Sequence, residues 1–128
     1  VGTFLKENGE DEALKPLLAP LAASLDHLQQ ATMWFMNNAL AKPDNAGAGA
    51  TDYMHLLGLV SLGYMWAKMA KVAQDKLKAG ANGATERMNT KLVTARFFME
   101  RSLPETAAHL ARITSGADST MALSAEQF

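Results

Sequence analysis

The sequence predicts an all-α protein, an up-and-down antiparallel helical bundle of three long helices and a shorter fourth. Apolar residues recur at alternating steps of three and four through most of the chain, the period of one helix face. No stretch alternates apolar and polar residues over strand length between turn signals. Breakers at Lys42-Pro43-Asp44-Asn45 and at Gly80 to Gly83 cut the periodic sequence into helix-sized pieces with short connections. Short connections favour antiparallel neighbours.

Taken in order, Val1 to Glu12 mixes glycine with acidic residues and is expected to be a flexible lead, a loop or frayed turn. The bundle is expected over residues 13–115 and a tail over 116–128. In the first helix, Leu14, Leu18, Leu21, Leu25, Leu28, Thr32, Phe35 and Ala39 form one seam. Leu17, Ala31 and Met36 widen it to the stripe a bundle helix needs. Pro16 and Pro20 either delay the regular helix until after Pro20 or kink its first turns.

After the first break and the small-residue stretch Ala46 to Ala50, a second helix runs to about Ala79. From Tyr53 to Ala67 it is apolar on nearly every face, and such a helix must be covered all round. Only later do Lys68, Lys71, Asp75 and Lys78 draw a polar stripe. The third helix, about Thr85 to Arg101, aligns Met88, Leu92, Ala95 and Met99, broadened by Phe97 and Phe98. Ser102 and Glu105 around Pro104 form a capping-box pattern for the short fourth helix. Its expected apolar edge is Leu103, Ala107, Leu110 and Thr114, and a turn of helix is expected near Met121 to Gln127.

Composition narrows the function. The 128 residues suffice for one domain with a real core. Cysteine is absent, which removes disulfides and thiolate chemistry and fits a cytoplasmic protein. With 12 basic and 13 acidic side chains the net charge is -1, so a nucleic-acid partner is not expected. The one basic cluster, Lys68, Lys71, Lys76 and Lys78, is interrupted by Asp75 and reads as a solvated helix end. No membrane span is expected, because the run Leu56 to Ala67 is too short. The chain opens on Val1 without a signal-peptide pattern, as a piece of something longer would.

Chemical motifs are sparse. Gly47-Ala48-Gly49 lacks the preceding strand and spaced third glycine of a dinucleotide loop, and the Gly-Lys-Ser/Thr ending of a P-loop. These small residues are read as sites of close helix approach or of a tight turn. His27, His55 and His109 show no metal-ligand spacing, and Asp52 with His55 is read as a local pair on one helix face. Neither Glu100 nor Glu105 has an evident catalytic partner, so no catalytic, cofactor-binding or metal residue is assigned. The aromatic and methionine residues are mostly core, but the second helix has apolar side chains to spare. Tyr64 and Trp66, followed by Tyr53, are the expected interface residues.

The run Asp44 to Met54, then Leu57-Gly58-Leu59-Val60 and Gly63 to Ala70, resembles one particular appended domain. It is the C-terminal helical domain of acyl-CoA dehydrogenases of the 3-methylmercaptopropionyl-CoA dehydrogenase-like group. Ala95-Arg96-Phe97-Phe98, Leu103-Pro104-Glu105 and the ending Gly116 to Leu123 extend the resemblance. It implies a parent flavoprotein that uses FAD to oxidise an acyl-CoA thioester, with its flavin site and catalytic glutamate in upstream dehydrogenase domains. No residue here matches that glutamate. The implied partners are those upstream domains and further subunits of a homo-oligomer. Two other readings remain: an independent helical scaffold or interaction protein, and a small enzyme or carrier with a closed cavity between its helices.

Overall fold

The computed structural model describes residues 1–80 and 85–128. It contains α1 (Gly2–Asn8), α2 (Lys15–Asn38), α3 (Pro43–Lys78), α4 (Thr85–Phe97) and α5 (Glu105–Thr114). A π-helical turn, Phe98–Ser102, joins α4 toward α5, and a 3-10 turn, Ala125–Gln127, lies near the end. No strand occurs among the described residues, and the fold is the all-α bundle expected from the periodicity.

Contacts fix the directions. Thr32 meets Tyr53, Phe35 lies at Gly49, and Gln74 reaches the Ala13 carbonyl, so α3 descends as α2 rises. Leu103 packs at Gly63 and His109 bonds Asp52, so the α4–α5 rod runs antiparallel to α3 as well. His27 bonds Thr106 while Trp34 lies by Gly116, making α5 parallel to α2. With 36 residues, α3 is about 54 Å long and is the spine against which the other rods pack.

Each end of α3 has a local cause. Lys42 is extended, Pro43 sits in the first turn without needing a donor, and Asp44 faces the positive end of the helix dipole. The break expected at Pro43 is therefore the helix start itself, and the stretch Ala46 to Ala50 is helical. At the other end Gly80 adopts φ +67, and its N–H reaches the Leu77 carbonyl. Glycine takes that left-handed conformation without a Cβ penalty. The rest of the break expected at Gly80 to Gly83 lies outside the described residues.

The core forms two clusters. Leu14, Leu17, Leu18 and Leu21 of the α2 end meet Ala67, Ala70, Ala95, Met99 and Leu103. Toward the other end, Ala31, Leu56, Val60 and Ile113 make a second cluster, closed by Trp34, Phe35 and Tyr53.

Several expectations are corrected. Residues 2–8 are a helix rather than a loop, because Phe4 and Leu5 pack on the first cluster and the Phe4 ring meets Tyr64 edge-on at 5.6 Å. α2 begins at Lys15 and continues through Pro20. The two prolines stand four apart, so the bond lost at Pro20 is the one its N–H would have given the Pro16 carbonyl. Met36 is exposed instead of widening the seam, and Ser24 is buried with its hydroxyl donating to the Leu21 carbonyl. No side chain caps α5 at Ser102 or Glu105; the capping box that does form joins Ser124 and Gln127. The inner edge of α5 is Thr106, His109 and Ile113, two of them polar and each with a partner.

Candidate interaction surface

The two sides of α3 differ in kind. Its inner side buries Gly49, Leu56, Val60, Gly63, Ala67, Ala70 and Ala73. An added Cβ at Gly49 would stand 2.8 Å from the Phe35 ring, and one at Gly63 would stand 3.1 Å from Leu103. Small residues thus let α2 and α5 approach the spine closely, as the glycine-alanine content implied. The outer side carries Met54, Leu57, Leu62, Met65 and Val72, each about half exposed. A helix apolar all round was expected to be covered all round; within this chain the outer side is bare.

The whole surface agrees. The accessible area is 8040 Å² for 13.8 kDa. A compact monomer of that mass exposes about 6,600 Å². The excess of roughly 1,400 Å² is shared between the exposed outer side of α3 and the exposed tail, residues 118–128.

The three aromatics chosen from sequence are half-buried inside the chain. Tyr53 shares a hydrogen bond of 2.8 Å with Thr32 and stands edge-on to Phe35. Tyr64 is flanked by Phe4 and by the Lys68 ammonium, 5.3 Å above its ring. Trp66 packs on the first core cluster under Lys91, 5.5 Å from its ring centre. The bare apolar strip lies beside them on the same helix, and its five most exposed members are aliphatic or methionine.

Titratable groups do meet, in a pattern the sequence reading missed. Asp52 bonds His109 Nδ1 at 2.7 Å and Arg112 at 3.2 Å across the α3–α5 contact, not the neighbouring His55. The His109 bond, helped by Arg112 against the opposing effect of partial burial, holds the Asp52 carboxyl below its usual range. His55 stays exposed, its ring edge-on to His109 at 5.5 Å. Glu105 lies 3.9 Å from His109 Nε2. Beside the pair, Met54, Gly58, Leu59 and Leu62 line a shallow groove edged by His55, Glu105 and His109. The cluster fastens α5 to α3. Similarly, the Thr106 hydroxyl donates to the Leu103 carbonyl, so His27 Nδ1–H donates to Thr106 and fastens α2 to α5. Only the packing of α5 against both α2 and α3 brings these partners together, and no spacing within the sequence announces them.

The basic cluster also divides. Lys71 pairs with Asp75 at 2.6 Å and Lys78 with Asp11 at 3.6 Å. Lys68 and Lys76 instead join Arg87 and Lys91 around an open groove of about 560 Å³ between α3 and α4, floored by Met65, Met69, Val72 and Met88. The spacing of Arg87 and Lys91, one turn apart on α4, was the available signal.

No group of three or more potential metal ligands occurs among the described residues. Five prominent cavities are open surface grooves, unlike the closed pocket expected of a small helical enzyme or carrier. The α3–α4 groove does not fit a flavin: it presents methionines where a ring system would need fixed hydrogen-bond donors, and its cations stand only at the rim. The described residues define a helical bundle with an exposed apolar strip along α3. Residues 1–124 match the family described as Acetyl-CoA dehydrogenase C-terminal like, and the chain belongs to that family. It is also 32% identical over 106 residues to the 3-methylmercaptopropionyl-CoA dehydrogenase of Ruegeria pomeroyi. That match covers 83% of this chain and 16% of the relative, so the chain spans about one-sixth of that protein's length.

Proposed function

We propose that residues 1–128 are the non-catalytic packing and assembly domain of a flavin-dependent acyl-CoA dehydrogenase. In this reading the upstream body binds FAD and oxidises an acyl-CoA thioester to the enoyl-CoA, in the cytoplasm and as a homo-oligomer. The observation that carries it is the outer side of α3, where Met54, Leu62, Met65 and Val72 stay half exposed on a chain that belongs to a C-terminal domain family. Contiguous apolar surface of this kind is stable in water when another protein surface covers it. Tyr53, Tyr64 and Trp66 border that strip and contribute to its edge. The acyl-CoA dehydrogenase chemistry is taken from the Ruegeria pomeroyi relative.

The test begins with the natural polypeptide that contains Val1 to Phe128. It should carry flavin, and the flavin should bleach anaerobically with an acyl-CoA thioester. Removing residues 1–128 should leave flavin bound while the sedimentation coefficient changes or the protein aggregates. A natural polypeptide without a flavin-binding body would end this reading and favour an independent helical scaffold.

A further inference from the structure

Of the twelve basic side chains, six form ion pairs: Lys15, Lys42, Lys71, Lys78, Arg96 and Arg112. Among the described residues the other six have no carboxylate partner, and four of those six are the groove residues Lys68, Lys76, Arg87 and Lys91. Random scatter does not readily give that concentration on a chain of net charge -1. Two of the four, Lys68 and Lys91, are held over Tyr64 and Trp66, which positions them at the rim. Unpaired cations around an apolar floor are complementary to a ligand that is both acidic and apolar.

The floor narrows the choice. Met65, Met69 and Met88 are flexible and polarisable, the side chains that adapt to a helix laid in a groove. The apolar surface also continues beyond the groove along α3 through Leu62 to Met54. From Met54 to Val72 the strip extends about 27 Å, five helical turns, the length of a docked helix of similar size. The matched relative is about six times longer than the region it shares with this chain, so ample protein is available to supply the partner.

We infer that the α3–α4 groove receives an acidic amphipathic helix from the remainder of the same polypeptide. This rests on the packing-domain reading and specifies the chemistry of the docked surface. The helix lays apolar residues at i, i+3, i+4 and i+7 on Met65, Met69 and Met88, and sets Asp or Glu side chains against Lys68, Lys76, Arg87 and Lys91.

The test uses the natural full-length polypeptide. Carbodiimide should join Lys68, Lys76 or Lys91 to Asp or Glu residues three or four apart outside residues 1–128. Peroxide should oxidise Met65 and Met88 at least about tenfold more slowly than in the same protein unfolded in urea. The triple variant K68E/K76E/K91E should abolish the cross-links and restore oxidation, while K68R/K76R/K91R should preserve the protection. Cross-links to a second copy or to another polypeptide would overturn the inference. So would protection without acidic cross-links, oxidation as fast as in urea, or binding to phosphatidylglycerol vesicles in place of the cross-links. Flavin content separates the two proposals: flavin with an open groove sinks only the docking helix, and cross-links without flavin sink only the dehydrogenase reading.

Discussion

The inner and outer sides of α3 invert the usual size order of a helix. Inside, five of the seven buried residues are Gly49, Gly63, Ala67, Ala70 and Ala73, beside Leu56 and Val60, and outside stand Met54, Leu57, Leu62, Met65 and Val72. A helix that had only to build this chain's own core would turn its large apolar groups inward, where each contributes about 1.5–3 kcal/mol by leaving water. Here the spine is filled instead by side chains that arrive from α2 and the α4–α5 rod, among them Leu21 and Leu103 at Gly63. Of the large apolar groups of α3, only Leu56 and Val60 are fully buried in the intramolecular core. The outer groups of α3 are the surface on which the proposed docking rests.

The inner side should be intolerant of change. Leu56 is fully buried in the second cluster, and Leu56→Ala should cost about 2–5 kcal/mol in urea unfolding of residues 1–128. A cost below about 1 kcal/mol would mean that the two sides do not differ in the way the burial implies. Next in size is the opposite error, too much volume. Gly63→Leu should cost about 1–2 kcal/mol, even after a gain of roughly 1 kcal/mol in helix propensity. Its Cβ alone would already stand 3.3 Å from Leu21 and 3.1 Å from Leu103, leaving no space for the rest of the side chain. A stabilised variant would show that the rods can part without loss.

The polar fastening between α3 and α5 sharpens the comparison, because it sits at the border of the two sides. Asp52→Asn keeps an acceptor for His109 but removes the charge, and should cost about 1 kcal/mol at pH 7. The sign of the pH dependence follows from the lowered Asp52 value. A carboxyl whose pKa is depressed on folding contributes stability above its unfolded value, near 3.9, and loses it as pH falls through the folded value. The gap between the wild type and Asp52→Asn should therefore be full at pH 6–7 and close progressively below about pH 4. Urea titrations at pH 7, 4 and 2.5 measure it, and a gap that widens in acid would refute the assignment.

Apolar periodicity made the long helices legible, because Leu14, Leu18, Leu21, Met88, Leu92, Ala95 and Met99 declare their buried face by spacing alone. The same rule failed at α5. Thr106 and His109 are buried polar groups, and Ala107 and Thr114, which fit the expected apolar edge, are exposed. Burial there depends on His27 and Asp52, residues 79 and 57 positions away, so no local pattern could reveal it. The N-terminal helix was hidden for a related reason: Gly2 and Gly9 read as breakers, while the Phe4 contact with Tyr64 that supports the helix is long-range. For the candidate surface, the surplus of apolar residues on the second helix was visible, but its bare side was not. Tyr64 and Trp66 looked available because of their residue types, and the chain itself partly occupies them.

The smallest expected effect decides most about the outer side. Met65 is half exposed and stands over the α3–α4 groove, so Met65→Gln removes little buried area from the chain alone. Its stability should stay within about 0.5 kcal/mol of the wild type, as surface changes usually do. Glutamine has nearly the length and helix propensity of methionine, so the backbone gives no reason for a larger change. In the natural polypeptide the same substitution should cost more, because an amide would then displace a methionine from a covered apolar contact. Equal small effects in both contexts would mean that the outer side is bare in the whole protein too. A large loss already in residues 1–128 would instead make Met65 part of the core, and the two sides of α3 would no longer differ.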